Sequence, residues 1–97
     1  MSNKLNQEQH PVQLVISVTN THRKAGELAM WTVYDKPRDY PEHYVARCFR
    51  VRGGANPTEH VILTKSLRQL RMVLHSAGLT CLSRSDQDDA KIVETWF

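Results

Sequence analysis

Cysteine is scarce in this 97-residue chain, which holds two, Cys48 and Cys81. Their separation matches neither a CxxC pair nor a zinc-ligand spacing. Two buried, reduced thiols are expected, and a Cys48–Cys81 disulfide is the alternative that a reducing cytosol disfavours. Long apolar runs are missing as well. No stretch approaches the roughly 18 residues that suggest a membrane span. Residues Met1 to His10 are polar and lack the apolar segment of a secretory signal. These absences give the expectation of a cytoplasmic protein with no membrane partner.

Signatures of catalysis are also lacking. There is no GxSxG, no phosphate-cradling glycine loop and no cysteine–histidine signature. The five histidines are scattered along the chain and show no convergence on a metal, so no cofactor is expected. Asp35, Asp39 and His43 are spaced by four, as on one face of a helix, but Pro37 and Pro41 oppose a helix there. Asp86, Asp88 and Asp89 resemble the opening of a calcium loop without its glycine and closing glutamate. A non-catalytic protein is the expectation; a polar pocket around Asp35, Asp39 and His43 would revive an enzyme.

What is present is the composition of a folded domain. Hydrophobic residues make up 40% and charged residues 24% of the chain, and the length supports one core rather than two. The net charge of +3 suits weak attraction to nucleic acid or to an acidic protein without deciding for either.

Along the chain, residues 1–11 read as a flexible polar tail and residues 12–97 as a single domain. Val12, Leu14, Ile16 and Val18 recur with a period of two and predict a strand over Val12–Asn20. Thr21–Leu28 reads as a connection. Met30–Tyr34, Tyr44–Arg52 and His60–Thr64 are further strands, the last two predicted to form a hairpin across about seven residues marked by Gly53, Gly54 and Pro57. One clear helix spans about Ser66 to Ala77. Ser66 or Thr64 can cap it, Gly78 can end it, and Leu67, Leu70, Val73, Leu74 and Ala77 form one apolar stripe. Leu79–Leu82 reads as a short strand, Ser83–Ala90 as a polar turn region, and Lys91–Phe97 as a closing strand. The order predicts an α+β fold: a mainly antiparallel sheet of four to five strands with one amphipathic helix packed on one face.

The helix contains no acidic residue. Arg68, Arg71 and His75 occupy its polar side, with Lys65 just before it, so the stabilising i,i+4 pairs of opposite charge are forgone. That pattern points to an outside anion, with a merely solvated face, or one paired to Asp86, Asp88 and Asp89, as the plainer reading. The Tyr44–Arg52 strand adds Arg47, Arg50 and Arg52. Alternation places Arg47 with Val45, Phe49 and Val51, and Arg50 and Arg52 with Ala46 and Cys48. Arginine beside aromatic groups on an open sheet can stack bases, although edge charge against aggregation explains it equally. Between Tyr34 and Tyr44 lies a loop with Arg38, Tyr40 and two prolines. Stiff aromatic loops make recognition surfaces, and they also serve as structural caps. Its Tyr40–Pro41 bond is a candidate cis peptide.

The run WTVYDKPRDYPEHYVAR from Trp31 to Arg47, with Asp88-Asp89 and Ile92–Trp96, resembles a family of small bacterial proteins sharing a W-T-V-Y-D-x-P-x-D-Y-P pattern. The resemblance covers most of the chain after its N-terminal third. It implies a bacterial-type cytoplasmic protein and carries no functional residues with it.

Two functions follow as expectations. The first is a binding module acting on an unknown protein partner through Tyr34, Arg38, Tyr40 and Tyr44. The alternative is nucleic-acid binding through Arg47, Arg50, Arg52, Lys65, Arg68, Arg71 and His75. Trp96 and Phe97 fall on opposite faces of the closing strand, so one of them is a candidate exposed patch and a homo-oligomer is a further expectation.

Overall fold

The structure is a computed structural model that describes residues 10–83 and 90–97. Most of the tail reading, and Asp86, Asp88 and Asp89, lie outside the described residues. The chain runs α1 (Pro11–Lys24), β1 (Leu28–Asp35), β2 (Tyr44–Val51), β3 (Ala55–Thr64), α2 (Leu67–Ser76), β4 (Cys81–Ser83) and β5 (Ile92–Trp96). Five strands form one sheet in the order β3-β2-β1-β5-β4, and every neighbouring pair is antiparallel. The fold is α+β, as the order of patterns predicts.

The first element corrects the sequence reading: Val12–Asn20 is helical, not extended. The apolar residues there fit both periods, because Val15, Val18 and Thr19 lie at i, i+3 and i+4 and are the ones buried. Helix signals at the two ends decide. Pro11 occupies the first turn with its fixed φ, and the His10 imidazole Nδ1 accepts from the Val12 N–H at 3.2 Å. The last turn carries His22, Arg23 and Lys24, which suit the negative end of the helix dipole. Gly26, at φ 79°, then turns the chain out. The N–H groups of Gly26 and Glu27 return to the carbonyls of Arg23 and His22 at 3.0 and 2.9 Å, a Schellman ending. Helix α2 closes the same way at Gly78, and its start is capped by Ser66, whose Oγ accepts from the Gln69 N–H at 3.2 Å.

The hairpin between β2 and β3 is tighter than predicted, since β3 begins at Ala55 and leaves only residues 52–54 between the strands. Pro57 is tolerated inside β3 because β3 is an edge strand. A register shift between Arg47 and Phe49 interrupts the ladder there, and the Thr58 hydroxyl donates to the Cys48 carbonyl at 2.8 Å. Among the described residues all peptide bonds are trans, Tyr40–Pro41 included.

One sheet face carries the core. Ala29, Trp31 and Val33 of β1, Ala46 and Cys48 of β2, Ile62 of β3 and Trp96 of β5 meet Val15 and Val18 of α1 and Leu70 and Leu74 of α2. Burying each large aliphatic side chain contributes roughly 1.5–3 kcal/mol. The Trp31 Nε1–H donates to Thr19 Oγ1 at 3.1 Å, which ties β1 to α1. Because β3 and β4 are opposite edges, α2 between them must cross this face from one edge to the other. No helix among the described residues is long and apolar enough to cross a membrane.

Candidate functional site

Helix α2 carries Leu70 and Leu74 to the core, and this phase leaves Arg68, Arg71, Met72, His75 and Ser76 on an adjoining side at i, i+3, i+4, i+7 and i+8. With Trp96 of β5 they wall a groove of about 590 Å³. On β5, Glu94, 5% exposed, accepts from Arg71 Nε at 3.0 Å on Oε2 and from Nη2 at 2.8 Å on Oε1. The Trp96 Nε1–H donates at 2.8 Å to Oε2, the oxygen that also accepts from Arg71 Nε. Burial pushes the Glu94 carboxyl up, but the bonds from Arg71 and Trp96, helped by the Cys81 thiol, outweigh it and leave it below the usual carboxylate range. The same bond holds the Arg71 guanidinium above its ordinary value.

The cations named from the sequence do not merge into one patch. Arg68, Arg71 and His75 share the groove. Lys65 sits before the helix with its Nζ 3.9 Å from the Glu42 carboxylate, both exposed. Arg47 lies on the other side of the sheet, where it bonds Asp39 at 2.7 Å and stands 6.0 Å from the Tyr34 ring centroid. Arg50 and Arg52 are exposed at the far end of β2, near Glu27. The Glu27 carboxyl is held low first by its bond from His22 and also by these two arginines.

The tyrosines divide as well. Tyr34 pairs with Val45 and Tyr44 with Asp35, so Tyr34 and Tyr44 project to opposite faces. Tyr44 packs against the core with Lys36 Nζ 5.6 Å from its ring centroid. Tyr40 sits in a closed turn in which its N–H donates to the Pro37 carbonyl and its carbonyl accepts from His43. Arg38 is exposed beside it. Asp35, Asp39 and His43 do not bond one another among the described residues. Asp39 is taken by Arg47, and the backbone of His43 bonds Tyr40 and Lys36.

No family model, curated protein or solved structure matches the chain. The chemistry of its surfaces is therefore read from its own residues.

A second surface is the sheet face turned away from both helices. Alternation from the core residues puts Met30, Thr32 and Tyr34 of β1 there, with Val45, Arg47 and Phe49 of β2, Val61 and Leu63 of β3, and Leu82 of β4. Val45 is fully buried beside its register partner Leu63, which is 40% exposed; Leu28, opposite Val51 at the other end of the ladder, and Leu82, three strands away, are 39% and 52% exposed. The one cation among these residues, Arg47, is neutralised within the molecule by Asp39.

The sequence reading missed Trp96 as a groove residue and Glu94 as the partner of Arg71. Period two already set them on one face of the last strand; what it lacked was the path of α2 above them. The cysteines also part company with expectation. Cys48 is buried and Cys81 exposed, both as free thiols, and burial pushes the Cys48 thiol up to about 11.

Proposed function

We propose that this domain is a non-catalytic binding module whose helix-free sheet face takes a protein partner, in the first instance a second copy of the chain. One observation carries the reading: Leu28, Leu63 and Leu82 stand exposed at separate points of a face whose Arg47 is internally neutralised by Asp39. Two copies each carrying +3 repel one another, and a face whose Arg47 is paired to Asp39 adds least to that repulsion. Its size also suits the role. Five strands of 8, 8, 10, 3 and 5 residues, spaced about 4.8 Å apart, cover roughly 550 Å². Two such faces bury about 1,100 Å², just above the roughly 1,000 Å² that a specific interface needs.

The nucleic-acid reading gains less from the geometry, because Arg47 is committed to Asp39 and Arg50 and Arg52 lie apart from Arg68, Arg71 and His75.

Sedimentation equilibrium across micromolar to millimolar protein tests the proposal. A concentration-dependent dimer that Leu63→Glu dissociates, with the fold unchanged, supports it. A monomer at every concentration, or a dimer indifferent to Leu63→Glu and Leu82→Glu, sinks it.

A further inference from the structure

The groove beside α2 faces away from the sheet surface just discussed and has its own chemistry. Its volume of about 590 Å³ falls within the range of small-molecule sites. The walls divide into an apolar part, Trp96 with the largely exposed thioether side chain of Met72, and a polar part, the guanidinium groups of Arg68 and Arg71 with the His75 imidazole. Arg71 is already oriented. Its Nε and Nη2 are engaged by Glu94, its side chain is 49% exposed, and its Nη1 is left to donate outward. Glu94 thus acts as a clamp that pays the ordering entropy of the guanidinium before any ligand arrives. Arg68 and His75 have no carboxylate partner among the described residues. Among the described residues the groove therefore carries one arginine more than it has carboxylates, beside apolar surface.

We propose that this groove binds a small amphipathic anion: a flat apolar body, one or two rings across, bearing a carboxylate, sulfonate or phosphate. The anionic group meets Arg68 and the free edge of Arg71, and the rings lie along Met72 toward Trp96. A ligand without charge forfeits the charge-assisted hydrogen bonds, and one without rings forfeits the apolar contact. A nucleic-acid strand needs a longer run of cations than this groove supplies.

Two probes of matched shape test it: 2-naphthoate, and its uncharged amide, 2-naphthamide. Each is titrated into the full chain labelled with nitrogen-15. Naphthoate is expected to shift the Trp96 indole N–H and the α2 amides saturably while leaving the buried Trp31 indole unmoved. Naphthamide should bind at least about tenfold more weakly, the value of one charge-assisted bond. Arg68→Gln, at an exposed position, should weaken naphthoate by about fivefold to tenfold, and His75→Gln is the second variant should the first fail to fold. Equal affinity for the two probes overturns the proposal. So do shifts confined to the Leu63 and Leu82 face, no saturation below about 5 mM, or a folded variant of unchanged affinity.

Discussion

Removing Arg71 strands a carboxylate. Glu94 is 5% exposed, and Arg71→Ala would leave its charge with only the Trp96 N–H and the Cys81 thiol. Breaking a fully buried pair costs about 3–5 kcal/mol. Here the guanidinium side chain is 49% exposed, and water can enter the vacated space, so the penalty is discounted to about 2–3 kcal/mol at pH 7. In a domain of this size that lowers Tm by roughly 10–20 °C. The pH dependence distinguishes this cause from lost packing. In the native protein the Glu94 carboxyl is held below its ordinary value, so its contribution is full above that value and disappears as pH falls through the folded one. Without Arg71, burial prevails and the folded pKa rises above the ordinary value. Protonation then relieves the buried charge as pH falls. The deficit of Arg71→Ala is accordingly largest near neutrality and shrinks toward pH 4. Urea denaturation followed by tryptophan fluorescence at several pH values measures it, and the double variant Arg71→Ala/Glu94→Gln isolates the pairwise part. A deficit under about 0.5 kcal/mol at pH 7, or one independent of pH, refutes the reasoning.

Thiol titration with an aromatic disulfide is expected to find one reactive cysteine in the folded protein, Cys81. Cys48, fully buried and raised to about 11, should react only after unfolding, and equal rates for the two would contradict its placement. Gly26→Ala has open space around the new methyl group, so any cost is that of holding alanine at φ 79°, about 1 kcal/mol by denaturant melting. No loss of stability would mean that α1 does not end in the left-handed turn.

The parts of the fold that sequence made legible are those where one period excludes the other. The stripe Leu67, Leu70, Val73, Leu74 suits only a helix, and Tyr44–Val51 lies in a run closed by glycines. Val12–Val18 suits either period. There β-branched residues spoke for a strand, while Pro11, the basic last turn and Gly26, which spoke for a helix, lie outside the apolar run itself. Spacing along α2 brought Arg68, Arg71 and His75 together before any coordinates did. Glu94 and Trp96 join them only because α2 crosses the sheet between strands that are not neighbours, a fact of topology that no local pattern records. Tyr34 and Tyr44 show the converse: closeness in a loop suggested one surface, and their even spacing across an irregular turn hid that they face opposite ways.

The position of β5 between β1 and β4 has a consequence for how the molecule is assembled. Trp31 and Trp96 are register partners although 96 − 31 = 65 residues separate them, so the middle of the sheet waits on a distant contact. Until Ile92–Trp96 docks, β4 has nothing to bond and β1 shows a bare edge, and a chain cut before Ile92 loses both seams together. Such a molecule gathers slowly and leaves few stable halves.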